Sequence, residues 1–470
     1  MLRRLCLALV VVVLLAQPAL AADTERLPGL NGAPLFVTGI NYEGPADRAW
    51  QLWDDATFDP SAIEADFSRA GSAGVTTIRL FVQAPLLADI NAGRWDKLDY
   101  VVGLAEKHAL QLIVSLHDYG ERDLGKITAT AGQLALRYRG RPGLLALDLK
   151  NEPRFGDLAL TRYPSQPPLQ QRAIVDALGE RVARGDIASY RADAAKGVPS
   201  YLSDDEAWVY VNNLQLYRDM LSAAADWVKA GGYKGTTLDY LADPAGQAWA
   251  PLVKALSATL EAWLGPQLQA VRRADPGRAV TLDHVDVVLA SLPANDALDF
   301  QSVHRYPAQG ASAVRSNLSL LAKLQRLHPT PYLLSEFGYA TDTVQPDRAA
   351  LHETAIFLGL LAQHAAGGAK WMLNDMPQGY NTRERTLGAF RLDGGAKPVV
   401  AALAMLHEYV NGSGAAPGDL KLDDDPDTGL RYVYRASDAV FLGGKKVDGG
   451  VASFEASGPA QLFVSWSEPG

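Results

Sequence analysis

The sequence contains one cysteine, Cys6, among 470 residues. That excludes a disulfide framework and a zinc site built on thiolates. No glycine-rich dinucleotide fingerprint follows the first strand-like run, and Gly-x-Ser-x-Gly is absent. Nucleotide-cofactor chemistry and a serine nucleophile elbow therefore have no motif to rest on. A basic stripe is missing as well: 44 Lys and Arg face 53 Asp and Glu, spread along the chain for a formal charge of −9. Nucleic acid is not an expected partner.

Long apolar runs are nearly absent too. The exception, Leu5 to Ala16, has 12 residues, short of the ~20 that span a bilayer. Arg3 and Arg4 precede it, and Ala19-Leu20-Ala21 follows as a small-x-small cleavage site. This is the pattern of a signal peptide over residues 1–21, so the mature chain is expected to be secreted or periplasmic. Its removal takes away the cysteine and two arginines, leaving a charge of −11 and no expected membrane association. What remains is ordinary globular material, with hydrophobic residues at 48% and charged residues at 21% of the chain.

From residue 35 onward, short β-rich runs alternate with helical patterns, the mark of parallel βα units. The runs are Leu35–Tyr42, Thr76–Phe81, Gln111–His117, Leu144–Leu149, Ala279–Asp283, Leu298–Val303, Tyr332–Ser335 and Ala369–Leu373. Amphipathic stretches between them include Trp95–His108, Pro251–Arg273, Ala313–Leu327 and Asp347–Ala365, with a last helix over Pro398–Tyr409. Eight such units predict a (β/α)8 TIM barrel within residues 22–412, an open doubly wound sheet being the alternative. Residues 154–247 stand outside the pattern as a long insertion between the fourth strand and its helix, with a helix expected over Asp204–Lys229. Tyr201, Trp208, Tyr210 and Tyr217 in that insertion either stack on sugars or pack the helix. Residues 413–470 read as a small antiparallel β region, packed on the barrel or, alternatively, serving as a carbohydrate-binding module. The run Asp423-Asp424-Asp425 within it is expected to be a solvent-facing turn rather than a calcium site.

A barrel places its chemistry at the C-terminal ends of its strands. The polar residues there are Asn41, Tyr42, Arg79, His117, Asp118, Asn151, Glu152, His284, His304, Tyr306, Glu336, Asn374 and Asp375, with Trp371 among them. Two acids close apolar strands: Glu152 in Leu-Lys-Asn-Glu-Pro and Glu336 in Leu-Leu-Ser-Glu-Phe-Gly. Paired carboxyl groups across a barrel mouth suit glycosidic bond cleavage, where one protonates the leaving oxygen and the other attacks carbon or activates water. No metal or other cofactor is needed for that chemistry, and a polysaccharide or oligosaccharide is the expected partner.

Asn151-Glu152-Pro153 ending the fourth strand and Glu336 ending the seventh resemble the clan A (β/α)8 glycoside hydrolases, especially the cellulase-like family 5. The resemblance extends to Arg79, to His304-Arg305-Tyr306 and to Trp371. It implies retaining chemistry on β-linked sugars, with Glu152 as acid/base and Glu336 as nucleophile. It further implies that Asn151 holds the sugar 2-hydroxyl and that Arg79 and Tyr306 position Glu336. His117 and His304 would bond sugar hydroxyls or the carboxylates, Trp371 would form an apolar platform, and Asn41 and Tyr42 would join the binding surface. The long insertion departs from the family pattern and is expected to wall the cleft. Two other readings compete: a catalytically silent polysaccharide-binding barrel, and a metal-dependent hydrolase using His117, Asp118 and His284.

Overall fold

The structure, a computed structural model, describes residues 26–30, 32–44, 49–116, 123–154, 250–377, 384–412, 417–437, 440–447, 451–457 and 463–465, together with residues 158, 229, 230 and 238. The expected signal peptide, His117, Asp118, the aromatic residues of the insertion and almost all of its expected helix lie outside these residues.

Eight parallel strands close into a barrel: β1 (Val37–Tyr42), β2 (Thr77–Phe81), β3 (Gln111–Ser115), β4 (Leu144–Asn151), β5 (Ala279–His284), β6 (Gln301–His304), β7 (Tyr332–Phe337) and β8 (Gly367–Lys370). Each strand pairs with the next, and β8 pairs back onto β1. The strands are buried almost throughout, because a barrel strand is covered by side chains on one face and by helices on the other. The outer layer holds α1 (Pro60–Ser72), α2 (Ala84–Asn91), α3 (Asp96–Lys107), α4 (Leu124–Arg137) and α5 (Ala250–Ala274). It continues with a short α6 (Val287–Ala290), α7 (Ala311–Leu327), α8 (Pro346–Ala362) and α9 (Val399–Leu406). Capping explains sharp starts: the Asp59 carboxylate accepts from the Ser61 and Ala62 amides, with Pro60 opening α1.

The eighth strand departs from expectation. It runs over Gly367–Lys370, and the chain leaves the sheet before Trp371. Met372 and Leu373 then bond backward to Leu387 and Asn41. At Gly367, φ is +136 and a Cβ would lie 2.3 Å from the Val37 carbonyl, so only glycine permits β1 to approach so closely.

A five-stranded antiparallel sheet follows: β9 (Asp419–Asp425), β10 (Gly429–Arg435), β11 (Val440–Val447), β12 (Val451–Ser457) and β13 (Phe463–Ser465). Leu422, Leu430, Tyr432, Tyr434 and Phe441 from this sheet belong to the same buried core as the barrel helices. Residues Ala349 to Leu361 of α8 are consequently all buried, with the polar members Glu353 and His352 partnered by Lys370 and the Gly310 amide. The acidic run is not the turn itself. Asp423 and Asp424 sit within β9, and Asp425 ends it, accepting from the amides of Asp427 and Thr428 to close the turn. Alternating apolar residues draw the segment into the sheet.

Candidate active site

Strand register builds the site. Asn41 lies opposite Arg79, Asn151 opposite Asp283, and His304 opposite Glu336. The register shifts between Asp148 and Asn151 and between Val303 and His304, and such irregularities re-aim side chains where a ladder meets an active site. Glu152, just past β4, has φ +47, a conformation costing a non-glycine residue about 1 kcal/mol or more. Its amide donates to the Asp283 carbonyl at 3.0 Å, which fixes the turn that aims the carboxyl.

Arg79 is wholly buried and holds the floor together. Its Nη1 donates to Glu336 Oε1 at 2.7 Å and to Asn41 Oδ1 at 3.0 Å. Its Nη2 donates to Asn151 Oδ1 at 2.8 Å and Asp148 Oδ2 at 3.0 Å, while Nε lies 2.5 Å from Asp283 Oδ2. Asn41 in turn donates to the Ser335 carbonyl at 2.9 Å, and Ser335 donates to Asp283 Oδ1 at 2.7 Å.

The two glutamates meet over this floor. His304 Nδ1 lies 3.0 Å from Glu152 Oε1 and 3.3 Å from Glu336 Oε2. Tyr306 donates its hydroxyl to Glu336 Oε2 at 2.9 Å while its ring remains 48% exposed at the mouth. Ligand-type atoms of Glu152, His304 and Glu336 all fall within 4.8 Å of one another. The Glu336 side chain is 6% exposed and that of Glu152 is 38% exposed, so one acid is deep and the other faces the mouth.

Electrostatics follow from this packing. Burial pushes the Glu336 carboxyl up from its ordinary range, opposed by His304 and Arg79. The His304 hydrogen bond holds Glu152 below its ordinary range. Burial disfavours charge on His304, yet Glu336, Asp283 and Glu152 outweigh it and raise the imidazole to about 9. Burial and the neighbouring Asp283 push Asp148 up to about 7. Asp283 goes the other way: burial opposes its ionisation, but Arg79 and His304 hold it far down. The Glu152, His304 and Glu336 group has the proximity a cation site requires, but a protonated imidazole has no lone pair to give, and Glu336 is already held by Arg79 and Tyr306.

Most residues expected at the mouth converge: Asn41, Arg79, Asn151, Glu152, His304, Tyr306 and Glu336 form one connected network. Trp371 stands nearby, 7% exposed and edge-on to Phe81 at 5.8 Å between ring centroids. Tyr42 does not join them. One pleat step beyond Asn41, it faces outward, packs on Phe67 and donates to Asp66 at 2.8 Å. Asn374 also bonds to Asp66, and Asp375 pairs with Lys397. His284 is buried against Asn295 at 3.0 Å, and burial lowers it to about 4; His117 and Asp118, the other two residues of the metal reading, lie outside the described residues. Asp148, Asp283 and Ser335 were missed in the sequence. Their signal was an acid or hydroxyl interrupting an apolar barrel strand, in Leu-Leu-Ala-Leu-Asp148 and Val-Thr-Leu-Asp283.

No protein-family model matches the chain, and no curated protein matches its sequence. Solved structures do match. The Streptomyces cattleya GH5_18 protein in complex with GlcNAc is similar at a TM-score of 0.53 and 16% identity, over 81% of each chain. A variant of that protein in complex with Manb1-4GlcNAc is similar at a TM-score of 0.52 and 17% identity, over 81% of this chain and 82% of that one. Exo-beta-1,4-mannosidase Op5Man5 from Opitutaceae bacterium strain TAV5 is similar at 0.50 and 14%, over 82% of this chain and 61% of that one. The shared property is the (β/α)8 fold.

Proposed function

We propose that the chain is a retaining glycoside hydrolase that cleaves O-glycosidic, β-configured bonds of a polysaccharide or oligosaccharide. The observation that carries this reading is the pair of carboxyl groups, Glu152 and Glu336, whose nearest oxygens lie within 4.8 Å across the barrel mouth. Retention needs carboxyl groups about 5–5.5 Å apart, whereas inversion leaves about 6.5–9.5 Å for an intervening water.

Glu336 suits the nucleophile. It is deep, and Arg79 and Tyr306 stabilise its carboxylate against burial. Glu152 faces the mouth and suits the acid that protonates the leaving oxygen as Glu336 attacks the anomeric carbon. In the second half, the Glu152 carboxylate takes a proton from water, the water oxygen bonds to that carbon, and Glu336 departs. Asn151 gives its amide oxygen to Arg79 at 2.8 Å, which orients the Nδ2 group as a donor for a sugar 2-hydroxyl. Trp371 offers an apolar face to the pyranose, with His304 and Asn41 supporting the carboxylates and Arg79.

The leader pattern at residues 1–21 supports export. Among the described residues, no helix is long and apolar enough to cross a membrane. The sugar ligands named for the structural neighbours put β-mannosides and N-acetylglucosamine-containing glycans first in a substrate panel.

The test is a variant pair on an active glycan. Glu336→Gln should lose at least about 10⁴-fold in kcat. Glu152→Ala should keep activity toward activated aryl glycosides and recover rate with added azide, yielding a β-glycosyl azide. Sugar binding by the wild type with no product released would instead support the silent binding barrel.

A further inference from the structure

Under the retaining reading, on which this inference rests, Glu152 must be protonated when the glycosidic bond breaks. The structure pairs it with His304 at 3.0 Å, a contact that favours its ionised form. The proton is therefore kept somewhere else, and the charges around the site show where. Asp148, Glu152, Asp283 and Glu336 form a cluster of carboxylates served by Arg79 and His304 alone among the described cations that contact them directly. Arg79 touches Asp148, Asp283 and Glu336. His304 is ringed by Glu152 at 3.0 Å and Glu336 at 3.3 Å on Nδ1, and by Asp283 at 3.8 Å on Nε2. Asp283 cannot swing away, since Ser335 and Arg79 hold its two oxygens. The imidazole is wholly buried and Nε2 has no hydrogen-bond partner, so its protonation is set by these anions against the opposing charge of Arg79; Tyr306 faces the same cluster as a neutral hydroxyl on Glu336.

We propose that His304, backed by Asp283, is the proton store that charges Glu152. When a sugar covers Glu152 and strips its water, the carboxylate loses hydration and its proton affinity rises. The proton then passes from His304 Nδ1 to Glu152 Oε1, leaving a neutral imidazole and a carboxylic acid. Glu152 gives that proton to the leaving oxygen as the glycosidic bond breaks and the bond to Glu336 forms. Glu336 is now an ester and no longer an anion beside His304, so the imidazole stays neutral. Water gives its proton to Glu152 while its oxygen displaces Glu336, and on product release the proton returns to His304. Proton and charge balance over the cycle. Asp283 is a positioning residue here, acting through His304, whose Nδ1 touches both carboxyl groups.

The direct test is ¹⁵N-histidine NMR of the full chain, with the His304 signal identified by its loss in His304→Gln. His304 should be an imidazolium at pH 7 and titrate near 9. Asp283→Asn should lower that titration by about 1 pH unit or more, since an opposing charge within a few ångströms has been removed. If that variant does not fold, Glu152→Gln carries the same test and shifts the titration the same way. In kinetics, Asp283→Asn should move the alkaline limb of kcat/KM downward for an alkyl glycoside and cost that substrate more than a 2,4-dinitrophenyl glycoside, whose departure needs no acid. A His304 neutral at pH 7, or equal losses on both leaving groups, would overturn the proposal. A wild type that turns over no glycoside would defeat the hydrolase reading instead, and the NMR result would stand apart from it.

Discussion

Burying a guanidinium costs several kcal/mol unless its donors all find acceptors, and at Arg79 they find Asn41, Asp148, Asn151, Asp283 and Glu336. A lysine keeps the charge but not the planar fork, so it cannot reach carboxylates on strands β4, β5 and β7 together. Arg79→Lys should lower kcat/KM by about 10²-fold or more. Because the Arg79 charge favours the ionised form of Glu336, removing it in Arg79→Gln raises that carboxyl, and the acid limb of that variant's pH–rate profile should move to higher pH. An unmoved acid limb would show that Arg79 serves packing alone. Both glutamates, Asn151, His304 and Tyr306 were legible in the sequence because each closes or follows an apolar strand, and Arg79, inside β2, through the family resemblance. Asp148 and Asp283 were not. An acid inside such a strand gives no hint of its partners until neighbouring strands set the register.

Elements decide which of these side chains can meet. Asn41 and Tyr42 are adjacent, yet the pleat sends one to Arg79 and the other to Asp66. Sequence position alone does not settle that parity, which explains why Tyr42 looked like a mouth residue. The run Ala369–Leu373 likewise looked like continuous strand, whereas the chain turns out of β8 to present Trp371. Lys370 holds this turn by donating to the Trp371 carbonyl at 3.2 Å, the Leu387 carbonyl at 2.9 Å and Glu353 at 2.7 Å. Gly338, just beyond β7, is the contact that allows it: a Cβ there would lie 2.6 Å from the Trp371 carbonyl. Gly338→Ala should push the Trp371 segment off its seat and raise KM about tenfold, with a smaller change in kcat. An unchanged KM with normal folding would remove Trp371 from substrate contact.

Across the whole molecule, the βα alternation and strand count were readable because barrel strands are apolar on both faces. The C-terminal segment was harder, since a short β region has the same alternation whether it stands alone or covers a helix. Its shared core with α8 decides for packing. Two buried histidines give the molecule an opposed pH response. His304 is raised to about 9, so it contributes up to about 3 kcal/mol that is present below about pH 6.5 and lost as pH rises through 9. His284 is lowered to about 4, so its contribution is present above about pH 6.5 and lost as pH falls toward 4. Thermal melts should therefore show His304→Gln flattening the decline between pH 7 and 10, with the acid side unchanged. A decline that persists in this variant would place the titrating group elsewhere.

The most direct measurement of the central claim is covalent trapping. A 2-deoxy-2-fluoro glycoside with a good leaving group slows release of the intermediate more than its formation, and peptide mass spectrometry then locates the sugar. One added glycosyl group is expected, on the peptide bearing Glu336, formed by the wild type and absent in Glu336→Gln. A sugar attached to another residue, or turnover of a natural glycan to the inverted anomer with no adduct, would contradict it.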